Sequence, residues 1–242
     1  MTRAHDEGGA ALGSGVMFDA IAPRYDLLNR ILSGGLDGGW RRLTVESLHL
    51  RPGQRLLDVA TGTADLALLM SSVQPSATVV GLDPSREMLR IACERIERAG
   101  RSDRIALELG DAEALPFDDA SFDAAAMAFG IRNVRDRPRA LRELARVIRP
   151  GGRVAILELG EPRGALAGTL LRFYIHAVVP LVGALVSGAT EYRYLERSIT
   201  RFPPPEAFGQ LLHAAGFVEL GIRPLTLGAC VLFSGRRGGS PT

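Results

Sequence analysis

The chain has 242 residues, 46% of them hydrophobic and 23% charged, with a formal net charge of +2. That supplies a full core and excludes a disordered polyelectrolyte, and the size suits one α/β domain. All 29 basic residues are arginines; without lysine the chain has no Schiff-base or lysine general-base chemistry, and the arginines are too dispersed for a nucleic-acid face.

Residues 1–16 read as a polar, Gly-rich tail without the apolar core of a signal peptide, and 236–242 as a second loose tail. Residues 17–235 between them read as one domain. Within it, 17–32 carries Phe18, Ile21, Tyr25, Leu28 and Leu32 at helical spacing, and 37–50 is a second helical stretch; 17–50 together form an N-terminal helical lid. The texture then alternates. "RLLDVA" (55–60) is a buried strand and "ADLALLMSS" (64–72) a helix; "ATVVGLD" (77–83) is a strand and "SREMLRIACERIERAG" (85–100) an amphipathic helix. Strands follow at 104–111 and 121–129, then a helix at 137–152 stopped by Pro-Gly-Gly, then a strand at 153–160. An apolar stretch at 162–200 interrupts the rhythm as a helical insertion. A helix at 205–215 and two strand-like runs, "FVELGIR" and "LGACVLFSG", close the domain. Such alternation predicts an α/β fold: a doubly wound, Rossmann-like parallel sheet covered on both faces. Cys93 and Cys230 fit buried thiols in a reducing compartment, and His5, His49, His176 and His213 lack metal-ligand spacing, so no metal is expected.

The first strand runs into "DVATGTADL", where Asp58, Ala60, Gly62 and Thr63 bring backbone N–H groups close to a ligand. The loop is not the dinucleotide G-x-G-x-x-G, and Asp65 would repel a pyrophosphate. Asp83 ends the second strand, at the place where nucleotide folds hold ribose hydroxyls; its plainer reading is a helix N-cap, with Ser85 as competitor. Asp111 ends the third strand in "GDAEALPF", where a carboxylate could accept from an adenine amine beside the N–H of Ala112; alone it reads equally as a turn residue. Acids at three successive strand ends describe a nucleoside ligand with positive character and no phosphate. S-adenosylmethionine fits, and the chain resembles the class I methyltransferases.

Longer stretches narrow the resemblance. "MFDAIAPRYDLLNRILSGGLDGGWRR", "LLDVATGTADLA", "FGIRNVRDRPRALRELARVIRPGG" and "YRYLERSITRFPPPEAF" are similar to the ubiquinone/menaquinone biosynthesis C-methyltransferases of the UbiE/MenG type, across roughly 17–235. The resemblance implies S-adenosylmethionine as cofactor and a prenylated benzoquinol or naphthoquinol, methylated on ring carbon, as substrate. It implies cofactor contacts at Thr63, Asp83, and Asp111 with Ala112. Three positions depart from the family pattern. Ala64 replaces the last loop glycine, which would tighten the methionine pocket; Ala128 replaces a serine of some relatives; Gly160 replaces a small polar residue.

The fourth strand should neighbour the first, so its tip, "MAFGIRNV" (127–134), should face the substrate. There Arg132 would act as a fixed cation favouring an ionised quinol, Asn133 would orient a water or a quinol oxygen, and Tyr25 would be the lid's hydrogen-bond partner. Each has a plainer reading: Arg132 paired with Asp136 on the surface, Asn133 capping a turn, Tyr25 in the core. The apolar insertion reads either as a structural cap or as a wall for a polyprenyl tail, with a peripheral membrane contact left open. The sequence implies a cytoplasmic protein and leaves a homodimer open. Two rivals stand beside this reading: a methyltransferase for another small molecule, and a non-catalytic subunit of a quinone-synthesis complex that keeps the fold.

Overall fold

The computed structural model describes Asp19, Ala22, residues 33–160, Ser198 and residues 201–239. Tyr25 and the insertion apart from Ser198 lie outside the described residues.

Helix α1 (Asp37–Ser47) leads into β1 (Arg55–Val59), α2 (Asp65–Val73), β2 (Thr78–Asp83), α3 (Arg86–Arg98), β3 (Ile105–Leu109) and β4 (Phe122–Ala128). The chain continues through α4 (Arg137–Val147), β5 (Ile148–Leu159), α5 (Pro205–Ala214), β6 (Phe217–Leu225) and β7 (Cys230–Arg237). Seven strands form one sheet in the order β3-β2-β1-β4-β5-β7-β6. β1 to β5 are parallel, and β7 pairs antiparallel with both β5 and β6. The sheet is thus mixed at one end, because a short connection joins β6 to β7 and a parallel return would need a crossover.

Strands buried on both faces carry near-continuous apolar runs, and neighbouring residues feed opposite cores. Leu57, Met127 and Ile156 join Leu141, Leu144, Phe208 and Phe233 on one face. Leu56, Ala126 and Leu157 join Trp40, Leu66 and Met70 on the other. Each fully buried Leu or Phe contributes roughly 1.5–3 kcal/mol, so this double-sided packing fixes the level at which the strands end.

Helix starts follow side-chain chemistry. Ser85 Oγ accepts from Met88 N at 3.1 Å and caps α3; Asp136 accepts from Arg139 N at 2.9 Å and caps α4. Two expectations are corrected. The helix predicted over 137–152 ends at Val147, and the Pro-Gly-Gly lies inside β5. Ile148 already pairs with Phe122, and the register shifts before Ala124 pairs with Arg153, so the glycines serve a bulge rather than a helix stop. Gly151 has φ +80°, and a Cβ on Gly152 would lie 2.6 Å from Asp123 O. Cys93 is exposed on α3, and only Cys230 is a buried thiol.

Candidate cofactor and active site

The site forms where β1 and β4 lie side by side and their connections diverge to opposite faces. An open cleft lies there. Its floor and rim are Asp58, Ala60, Thr61, Gly62 and Thr63, with Asp65 and Leu66 at the start of α2, Ala128 at the end of β4, and Arg41 from α1. Five expected cofactor residues, Asp58, Ala60, Gly62, Thr63 and Ala128, therefore meet in one place.

The loop is held tightly. Thr61 Oγ1 donates to Asp58 Oδ2 at 2.6 Å, and Thr61 N donates to Leu82 O at 3.0 Å. Gly81 lets the loop settle on β2, since a Cβ there would lie 2.9 Å from Thr61 Oγ1. Gly130 does the same on the other side, where a Cβ would lie 2.6 Å from Ala60 Cβ. Ala60, Ala64 and Phe129 all adopt positive φ, at 54°, 69° and 60°. Three non-glycine residues in this sparsely used region, gathered around one cleft, mark stored backbone strain. Ala64 is fully buried and belongs to the core on its face. It is absent from the cleft lining.

Asp83 reaches the loop from β2. Its Oδ2 accepts from Gly62 N at 2.8 Å and its Oδ1 from Ser85 N at 2.9 Å. Ser85 is the N-cap, so Asp83 is not occupied with capping. Each oxygen keeps a further lone pair for a hydroxyl donor. Burial pushes the Asp83 carboxyl up to about 6, against the Ser85 and Gly62 amides, with the Asp19 charge adding to the rise. Asp58 is pushed up to about 7 by burial, against hydrogen bonds from Thr61 and Ala67 and the attraction of Arg41. Both carboxyls are poised near neutrality, and a cationic or hydroxylated ligand would favour their charged forms.

Asp111 differs. It is exposed, and its Oδ1 accepts from Glu113 N at 2.9 Å, a side-chain turn. Ala112 beside it is buried. Neither lines the cleft, and nor does Asp83, which reaches it only through the Gly62 amide.

At the tip of β4, Ile131–Asn133 form a single 3₁₀ turn. Arg132 is buried and Glu158 of β5 fully so; Arg132 Nη1 donates to Glu158 Oε1 at 2.6 Å and to Phe129 O at 2.7 Å. Arg132 N also donates to Glu158 Oε2 at 3.1 Å. The expected fixed guanidinium is present, but its charge is answered from beneath by a carboxylate rather than by Asp136 at the surface. Asn133 is half-buried on the same turn, and the cap of α4 is Asp136, not Asn133.

Sequence reasoning missed three groups. Glu158 carried a signal: a carboxylate inside the apolar run "AILELG" needs a buried partner, and the other misplaced charge is Arg132. Arg41 and Asp37 stand four residues apart on one helix face and pair at 2.7 Å. Asp19 gave no signal. Its Oδ1 accepts from Ser85 Oγ at 2.5 Å and from Glu87 N at 3.1 Å, tying Asp19 to the start of α3.

Comparison with known proteins decides the class. The family model described as the ubiE/COQ5 methyltransferase family matches residues 10–237. The chain belongs to the ubiE/COQ5 methyltransferase family. The ubiquinone/menaquinone biosynthesis C-methyltransferase UbiE of Geotalea daltonii is 42% identical over 91% of this chain and 94% of its own. The demethylmenaquinone methyltransferase of Thermus thermophilus is 46% identical over 91% of this chain and all of its own. Among solved structures, the [4+2]-cyclase SpnF aligns with a TM-score of 0.69 at 20% identity, over 93% of this chain and 96% of that one. An S-adenosylmethionine-dependent methyltransferase from Aquifex aeolicus aligns with a TM-score of 0.57 at 20% identity, over 81% and 88%. These two show the fold alone; a cyclase on the same frame shows why the chemistry must be read from the site.

As a ubiE/COQ5 methyltransferase the chain uses S-adenosylmethionine, and the cleft suits it. Beside the lining, Asp83 is a buried acid with spare acceptor capacity and fits a ribose diol. A mixed lining of carboxylates and one guanidinium fits an amino-acid zwitterion. The original objection to a pyrophosphate weakens at Asp65, whose charge is met by Arg95 at 2.5 Å and Arg41 at 3.4 Å, and rests now on Asp58.

Proposed function

We propose that this methyltransferase alkylates a ring carbon of a prenylated hydroquinone, a benzoquinol or a naphthoquinol. The observation that carries the reading is the pairing of a cofactor cleft at β1 with an Arg–Asn turn at the adjoining end of β4, in a chain whose relatives are named for quinone methylation.

The bound cofactor supplies an electrophilic methyl group. The protein's part is to hold and polarise. Asp83 takes the ribose hydroxyls, and the amides of the 60–63 loop line the approach. Asp111 and Ala112 stand at the adenine end. Arg132 is locked by Glu158 and Phe129 O, so its guanidinium costs no reorganisation when negative charge develops on a quinol oxygen. Ionising that oxygen enriches the ring carbon in electrons. Arginine keeps its proton, so the ring proton departs to solvent through a water that Asn133 orients. Tyr25 is the lid's hydrogen-bond donor to the quinol, and the 162–200 insertion walls the prenyl tail. No described helix is long and apolar enough to cross a membrane, and the substrate's tail is the reason for placing the enzyme at a membrane surface, on its cytoplasmic side. A homodimer is compatible with this arrangement and is not required by it.

Complementation tests the reading: the gene is expressed in strains lacking the benzoquinol or the naphthoquinol methylation step. Restoration of either methylated quinone fixes the ring class. Failure in both, with the protein folded and binding cofactor, overturns the quinol reading in favour of another small-molecule acceptor or a non-catalytic subunit.

A further inference from the structure

Among the described residues that line the cleft, Arg41 is the only basic one. It is 7% exposed, which is unusual for an arginine at a ligand site open to solvent. Three contacts hold it there. Nη1 meets Asp37 Oδ2 at 2.7 Å, Nη2 approaches Asp65 Oδ2 at 3.4 Å, and the guanidinium carbon stands 5.0 Å from the centre of the Phe129 ring. Phe129 itself adopts a positive φ, and Trp40 packs edge-on against it at 6.4 Å. The strained turn after β4 thus builds a platform under this cation.

The Asp65 contact is the loose one. At 3.4 Å it lies beyond a good charge-assisted hydrogen bond, and Asp65 Oδ1 is already engaged by Arg95 at 2.5 Å. The guanidinium edge carrying Nη2 therefore retains capacity for a planar, doubly accepting anion. The wall also carries Asp58, an acid suited to an ammonium. The lining holds one cation and two acids; Asp65 is met by Arg95, which leaves Arg41 and Asp58 to match the two charges of an α-amino acid.

We propose that Arg41 anchors the α-carboxylate of the cofactor's amino-acid end and makes the site select the zwitterion over its decarboxylated form. This rests on S-adenosylmethionine as the cofactor. Calorimetry with two ligands tests it: S-adenosylhomocysteine, and the decarboxylated 5′-(3-aminopropyl)thioadenosine, which differs by the carboxylate alone. The wild type should prefer the first by about tenfold or more, the scale of one charge-assisted contact. Arg41→Met keeps an apolar stem over Phe129 and should erase that preference by weakening S-adenosylhomocysteine only. Arg41→Lys should restore part of it. Equal weakening of both ligands in Arg41→Met, or a preference left intact, overturns the anchor. A wild type that binds both ligands equally overturns it too, while a wild type that binds neither overturns the cofactor assignment itself. If Arg41→Met shows no cooperative melt, Arg41→Lys and Arg41→Gln carry the same comparison, and an unchanged preference in them is decisive against the proposal.

Discussion

Two arginines flank the end of β4, and they are held in opposite ways. Arg132 is sealed against Glu158, with side chains 6% and 0% exposed, and the pair uses both a side-chain and a backbone donor. Arg41 is as deeply buried, with its side chain 8% exposed, but it lines a cleft and is bound closely to one acid and loosely to another. The sealed pair behaves as framework, because its desolvation is recovered only while both partners stay. The open cation behaves as a receptor, because its surroundings leave an edge to fill. An electrostatic role for Arg132 must therefore work through an already neutralised pair, and removing it disturbs the frame as well as the chemistry.

The widest test of that contrast is Arg132→Ala. It strands Glu158 at full burial, and breaking such a pair costs about 3–5 kcal/mol. Chemical denaturation should show a loss of that order, together with loss of turnover. The double variant Arg132→Met with Glu158→Leu should recover much of the stability without recovering turnover. A single variant that melts like the wild type would mean the pair is not framework.

Next comes the difference between two strand-end acids. Asp83→Ala removes a buried acceptor and should weaken S-adenosylhomocysteine at least about tenfold, at roughly 1.5–3 kcal/mol per charge-assisted bond. Asp111→Ala removes an exposed one and should cost less. Calorimetry on both decides the ranking, and equal losses would place Asp111 on a par with the cleft.

A separate effect follows from protons. Asp58, at about 7, and Asp83, at about 6, bind protons in the folded chain at pH values where the unfolded chain has released them. Folding stability should therefore fall as pH rises from about 4 to about 7, by up to about 1.4 kcal/mol per pH unit for each group while it titrates. Above that window the contribution is flat. A bound ammonium and diol favour both carboxylates, so cofactor affinity should rise across the same window with release of protons. The groups around Asp58 are Thr61, Ala67, Arg41 and Asp83; those around Asp83 are Gly62, Ser85 and Asp19. Asp58→Asn should flatten the upper part of the affinity profile, and an unchanged profile would remove Asp58 from the linkage.

The last is Ala64→Gly. Relief of a left-handed alanine gains about 1–2 kcal/mol, and loss of a buried methyl returns about 0.8 kcal/mol. The expected net is a gain of under about 1 kcal/mol, a rise of a few degrees at most in melting temperature. A fall would mean that the buried methyl outweighs the strain.

The parallel half of the sheet was readable in the sequence because periodicity survives wherever both faces are buried. "RLLDV" and "FDAAAMA" admit few other readings. The cofactor loop was readable because small residues between a strand and a helix have a local cause. The Pro-Gly-Gly misled because the same residues serve a helix stop and a strand bulge, and the choice depends on pairing with Phe122, far away in the chain. Arg132 was noticed but its partner was not, since Glu158 joins it only through strand order. Asp19 and Ser85 meet across 66 residues, which no local spacing records.

Trp40 donates its indole N–H to Thr226 Oγ1 at 3.0 Å, linking α1 to the turn before β7 while its ring rests on Phe129. It is also the sole tryptophan of the chain. The enzyme thus carries a native optical reporter beside its cleft: excitation near the red edge addresses one indole, shielded from solvent and one residue before Arg41. Its emission should lie toward the blue and shift or quench when ligand fills the cleft, giving a label-free titration signal for every variant that leaves Trp40 in place.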